Sequence, residues 1–110
     1  MTTFDEREQA YEAKLAHDEE LKFKAMARRN KWLGLWAAEK LGKRGAAAEE
    51  YAAALVSSAT IGGDVFKKIR ADFEARRLAI SDQEIRREMD ELLARAAAEV
   101  IGTATPNAAR

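Results

Sequence analysis

The sequence predicts an all-α fold, a small four-helix bundle with a projecting N-terminal helical segment. The one proline, Pro106, stands near the C-terminus, so no earlier proline breaks a helix. Most of the six glycines fall between segments whose apolar residues recur at helical spacing. Capping residues stand where those segments begin. With 110 residues the chain has length for a single modest core. Much of its 47% hydrophobic content is alanine, and 35% of its residues are charged, which calls for helices with wide solvated faces.

The first segment starts at Phe4. Thr3 is a good N-cap with Glu6 at the capping-box spacing, and Asp5 and Glu6 lie where the helix dipole favours negative charge. Asp18 to Lys22 and Glu20 to Lys24 are acid-before-base pairs that support helix further along. The first clear stop is the turn Gly42-Lys43-Arg44-Gly45, so one helix is expected from Phe4 to Leu41. Its halves differ. From Phe23 onward Phe23, Met26, Trp32, Leu33, Leu35, Trp36 and Leu41 suffice for a core-facing helix, with Trp32 and Trp36 as core anchors. Between Phe4 and Glu20 only Phe4, Tyr11 and Leu15 are large and apolar. An isolated helix of that length is marginal in water, so residues 1–20 are expected to project and to stay mobile until bound.

The second helix is Ala46 to Ala59, with Tyr51, Ala52, Leu55, Val56 and Ala59 on one stripe, followed by a turn at Ile61-Gly62-Gly63. Asp64 caps the third, whose stripe of Val65, Phe66, Ile69 and Phe73 ends near Leu78. Ser81 caps the fourth, Glu84 completes its box, and Ile80 and Ile85 form a hydrophobic staple. Its stripe is Ile85, Met89, Leu92, Leu93, Ala96 and Val100. Gly102 is expected to end it, leaving 103–110 as a disordered tail and 21–102 as the bundle.

Charge is segregated along the chain. Residues 1–20 carry net −5 and residues 21–44 net +7, although the whole sums to zero. Such polarity steers encounters with a partner. The basic run "KFKAMARRNKW" offers RNA a surface, but the helical spacing of Phe23, Met26 and Leu33 explains its charges as the solvated face of a core helix. The absence of cysteine excludes disulfides and thiolate metal sites. No stretch approaches the roughly 20 apolar residues of a membrane span, and the acidic N-terminus has no apolar signal core, so a soluble cytoplasmic protein is expected.

Catalytic chemistry is not legible. There is no GxxxxGK[ST] loop, and His17 is the one histidine, so neither a His-Glu-x-x-His pair nor a serine–histidine couple is encoded. Asp18, Glu19 and Glu20 sit in a charged segment where no burial would raise a carboxyl pKa. His17, beside Asp18 and one turn from Glu20, reads as a surface histidine, with a pH switch as the other option. The chain is read as a non-enzyme. Phe4, Tyr11 and Leu15 form a thin seam, which either folds back on the bundle or enters a groove on another protein.

The segments "FDERE", "KLAHDEELKFKA", "ARRNKWLGLWAAEKLG", "DVFKKIRADF" and "IRREMDELL" carry a resemblance. From Thr3 to about Ile101 the chain resembles the zeta subunit of alphaproteobacterial F-type ATP synthases. The resemblance implies an inhibitor of ATP hydrolysis whose bundle holds an N-terminal inhibitory helix. That helix would wedge into an alpha/beta interface of the catalytic head beside the gamma stalk and block rotation in the hydrolysis direction. Its element here would be Phe4 to about His17, with Phe4, Tyr11 and Leu15 as anchors and Asp5, Glu6, Arg7, Glu8, Glu12 and Lys14 as polar contacts. The implied partners are the alpha, beta and gamma subunits, met at the cytoplasmic face of the inner membrane, and the free protein would be a monomer. No nucleic acid, membrane insertion, metal or cofactor is implied. Weak adenine-nucleotide binding by the bundle, an option in this family, has no recognisable motif here. The loop "SSATIGG" is less acidic than its counterparts in the family. A nucleotide-sensing or RNA-binding helical module is the other functional class.

Overall fold

The computed structural model describes Ala10, residues 13–15 and residues 17–104, with backbone only for Thr103 and Ala104. The fold is all-α, as the sequence predicts. Helix α1 spans Glu19–Lys40, α2 Ala46–Thr60, α3 Val65–Ala75 and α4 Asp82–Ala104. Ala13–Leu15 are helical as well. The expected start at Thr3 and Phe4 and the tail 105–110 lie outside the described residues.

The single helix expected from Phe4 to Leu41 is interrupted at His17 and Asp18. The Asp18 carboxylate accepts the Leu21 N–H at 3.1 Å, while its carbonyl accepts the Lys22 N–H at 2.9 Å. That is N-cap geometry, and it starts a new helix at Glu19. Aspartate is among the best N-caps and among the poorer interior residues, so capping outweighs a surface pair worth a few tenths of a kcal/mol. The other expected pair does form, with Lys24 Nζ 3.6 Å from Glu20 Oε2.

Three helices end in the same hydrogen-bonded turn. After α1, the Lys43 N–H reaches the Ala38 carbonyl at 2.8 Å and the Gly42 N–H reaches Glu39 at 3.0 Å, with Gly42 at φ +82°. After α2, Gly63 and Gly62 bond to Ser58 and Ala59, with Gly62 at φ +92°. These are Schellman motifs with glycine at the left-handed position. After α3 the same bonds run from Leu78 to Phe73 and from Arg77 to Glu74, but the left-handed residue is Arg77, at φ +57°. The third helix therefore ends at Ala75, short of the expected Leu78. An L-residue with a side chain is strained there, by roughly 1–2 kcal/mol. Arg77→Gly should raise stability by about 0.5–1 kcal/mol after the added freedom of the unfolded chain is discounted. A urea midpoint that stays put or falls, at unchanged m-value, would contradict this.

The starts of α3 and α4 follow expectation. Asp64 accepts the Lys67 N–H at 3.1 Å, and Ser81 Oγ accepts the Glu84 N–H at 3.1 Å, the serine half of the expected box. Gly102 does not stop α4, which continues to Ala104. No positive φ occurs at Gly102, and a helical glycine only weakens a helix by roughly 1 kcal/mol.

The described residues up to Arg29 and from Glu91 onward form one compact unit, and Asn30–Asp90 form another. Buried apolar residues of the first are Leu15, Leu21, Ala25, Leu92, Ala96, Val100 and Ile101, among others. In the second, Phe73, Leu33, Leu55, Ile69 and Ile85 are the largest fully buried side chains. Along α1 the buried positions step by four, through Leu21, Ala25, Arg29, Leu33 and Ala37, and on to Leu41 just past its end. Phe23, expected in the core, is 64% exposed, because that four-residue step leaves it on another face of the helix. Trp32 and Trp36 are half-buried, and Trp36 meets Phe73 edge-on at 5.8 Å between ring centroids. Met89 and Leu93 are half-buried, whereas Ala94 and Ala97 of the same helix are buried.

Candidate functional site

The proposed inhibitory element is described in part. Phe4, Asp5, Glu6, Arg7, Glu8, Tyr11 and Glu12 lie outside the described residues. Lys14 and His17 are exposed, and Leu15 is buried at 5% exposure. The connection to α1 is tight: the His17 N–H bonds the Lys14 carbonyl and the Asp18 N–H bonds the Leu15 carbonyl, each at 3.2 Å. These bonds close the preceding helical turn, and the Asp18 cap opens the next. The chain thus turns at His17 and is capped afresh at Asp18 before α1.

An ion pair joins the middle of α1 to α4. Arg28 Nη1 donates to Glu99 Oε1 of α4, and both residues are partly exposed. A pair with that exposure contributes at most about 1 kcal/mol, so it orients the two helices more than it stabilises them. Lys22, Lys24 and Phe23 project into solvent on this stretch.

A second feature lies wholly in the Asn30–Asp90 unit. A cleft of ≈ 310 Å³ is lined by Lys43, Lys68, Arg76, Tyr51 and Asp72, with Leu41 and Ala75 as its apolar wall. The Tyr51 hydroxyl donates to Asp72 Oδ2 at 2.6 Å, and Lys68 Nζ stands 3.1 Å from the same oxygen. Burial, then the hydrogen bond to Asp72 and its negative charge, push the Tyr51 phenol well above its ordinary pKa. Tyr51 therefore stays a protonated donor at any working pH. Elsewhere on α3, Arg70 Nη1 joins the α3–α4 connection by donating to the Ile80 carbonyl at 2.9 Å and to Asp82 Oδ1 at 2.8 Å. Its Nε is buried without a hydrogen bond, 3.5 Å from Glu74 Oε2, as an ion pair of poor alignment. Arg86 lies over the Phe66 ring, 4.0 Å from its centroid. Among the described residues no group of three or more histidines or carboxylates could hold a metal ion.

With this geometry in place, comparison with known families is decisive. Residues 1–99 match the model of a family described as ATPase inhibitor subunit zeta. The chain belongs to that family. No curated protein is similar enough to the chain to count as a match. The zeta-family match begins at residue 1 and so takes in the thin acidic segment together with the helices that follow it. The description of the zeta family is that of an ATPase inhibitor, a regulatory role. Among the described residues no helix of this zeta-family chain is long and apolar enough to cross a membrane.

Sequence reasoning missed two things in this zeta-family chain. The Tyr51–Asp72 bond joins residues 21 apart in sequence, and nothing in α2 marks that partner. Lys68 and Asp72, at i and i+4 on α3, were a signal that could have found half of the cluster. The burial of Leu15 was left open by a seam that had two readings, and its short helical turn did not decide between them.

Proposed function

We propose that this chain inhibits ATP hydrolysis by the F-type ATP synthase through its N-terminal segment. Residues from Phe4 to about His17 enter an alpha/beta interface of the catalytic head beside the gamma stalk and block rotation in the hydrolysis direction. Synthesis, which turns the stalk the other way, is much less affected. Phe4 and Tyr11 are the apolar anchors, and Asp5, Glu6, Arg7, Glu8, Glu12 and Lys14 are the polar contacts. The carrying observation is the cap at Asp18, where the Leu21 N–H is satisfied at 3.1 Å. A helix with its own N-cap needs nothing from the chain before it, so α1 holds its start whatever the preceding segment does. The family match, which begins at residue 1, supports the same reading.

Leu15 takes a conditional part. At 5% exposure it belongs to the chain's own interior, so using it as a third anchor means releasing the turn at His17 and Asp18. Exposing a leucine costs about 1.5–3 kcal/mol, which an equivalent groove on the partner returns.

The test follows from the cap. A chain lacking residues 1–12 keeps the buried Leu15, the Asp18 cap and α1, and should fold. On the purified catalytic head of its own ATP synthase, the full chain should suppress hydrolysis. The truncated chain should be weaker by on the order of 100-fold, since two anchors at about 1.5 kcal/mol each are lost. Equal inhibition by both chains, or none by either, would sink the mechanism.

A further inference from the structure

We infer that the cleft on the Asn30–Asp90 unit is a second docking point, which takes a carboxylate-bearing segment of the partner ATPase. The inference rests on the functional reading above for the partner's identity, and on the cleft itself for its chemistry. Three of the lining side chains are cationic, Lys43, Lys68 and Arg76, against one carboxylate, Asp72. That carboxylate is already engaged, by the Tyr51 hydroxyl at 2.6 Å and by Lys68 at 3.1 Å, so it does little to repel an incoming anion. Among the described residues the side chains of Lys43 and Arg76 make no ion pair and reach no hydrogen-bond acceptor. They come from the α1–α2 turn and from the end of α3, and the fold brings these together: Arg76 Nη2 would lie 3.9 Å from a Cβ on Gly42. Arg44 and Arg77 are their sequence neighbours and add to the positive field.

The remaining walls select the class of anion. Leu41 and Ala75, with the Tyr51 ring, offer apolar surface to the methylene stem of a glutamate while cations meet its head. Arginine's planar fork matches a carboxylate in two bonds. The volume of ≈ 310 Å³ is at the small end of the roughly 300–1,000 Å³ found for ligand pockets, which suits side chains better than a large cofactor. The cations attract either anion, and the apolar wall favours an acidic protein segment over inorganic phosphate, which would gain nothing from it.

Two measurements on the full chain decide the matter. Titration with hexaglutamate peptide should shift the amides of Lys43, Lys68, Asp72 and Arg76, and the effect should fade between low and moderate salt. Shifts with pyrophosphate but not with hexaglutamate, or no shifts at all, overturn the inference. Binding to the catalytic head is then compared for K43Q/R76Q and for K67Q/R87Q, which removes equal charge outside the cleft. The first variant should bind about five- to tenfold more weakly and with a shallower salt dependence, the second like the parent. Equal binding by the two variants overturns the inference even where the parent inhibits. If the parent fails to bind the head, the functional reading falls, and the hexaglutamate result alone decides whether the cleft is an acidic-segment site.

Discussion

Gly34→Leu should lower the melting temperature by roughly 8–16 °C. A Cβ at position 34 would stand 2.7 Å from Ala52 Cα and 3.0 Å from Ala52 Cβ, with Leu55 Cδ2 at 3.5 Å. The nearest atom is backbone, so no rotamer change relieves the contact, and α1 and α2 must move apart. Overpacking of this kind costs about 1–3 kcal/mol and occasionally more, and separating two helices places leucine toward the upper end. Gain in helix propensity, nearly 1 kcal/mol for glycine to leucine, offsets part of it. The net of about 2 kcal/mol converts to the stated shift at ~4–8 °C per kcal/mol. Gly34→Ala sharpens the test, because it adds only the Cβ while gaining about 1 kcal/mol of propensity. A stabilised alanine variant together with a tolerated leucine would show that the close approach of α1 and α2 is not required.

Phe73→Ala should cost about 3–5 kcal/mol, a large part of the stability of a domain this size. Phe73 is fully buried and shares the interior of its unit with Leu33, Leu55, Ile69 and Ile85. Removing the ring leaves a cavity that helices closed by short capped turns are poorly placed to collapse into. It also removes the edge contact to Trp36, at 5.8 Å and 61°, worth about 0.5–1.5 kcal/mol beyond the area buried. Trp36 supplies the readout. Its emission should shift to the red in the folded variant as the ring gains water. Denaturation should separate this from Phe73→Leu, which keeps most of the volume and should lose less. A cost under 1 kcal/mol for the alanine variant would mean that the interior of the Asn30–Asp90 unit is organised around something else.

Both predictions turn on small or aromatic residues whose importance depends on where another helix lies. A side chain at Gly34 would meet the backbone of α2 at Ala52, an approach that the run from Trp32 to Trp36 does not announce. Phe23 reads as core and lies 64% exposed, while Ala25, Ala37 and Ala38 on the same helix are buried. Apolar size was the wrong criterion there, since close helix packing selects for small side chains at the line of contact. Ile61, 87% exposed beside Gly62, sits in a turn where the sequence placed it.

The candidate site divides along the same line. Asp18 was legible as an acid in a charged run, and its capping role was available from its residue type. The pairing rule for Lys22 pointed the other way, and the local geometry decided for the cap. Nothing local announced that Tyr51 would donate to Asp72, or that Lys43 and Arg76 would line one cleft with them.

What the sequence determined by itself was the helical class, the turns at Gly42 and Gly62, and the caps at Asp64 and Ser81. It also determined the family, through motifs spread over most of the chain. Each of those structural features depends on groups within five residues of one another, satisfied by backbone geometry that any context permits. Only the tertiary structure decided which face of α1 is buried, that Leu15 lies in the chain's own interior, and that the cations of a turn and a helix end share a cleft. Those depend on how closely separate helices approach, and that distance is set by packing between residues far apart in the chain, beyond the reach of a local pattern.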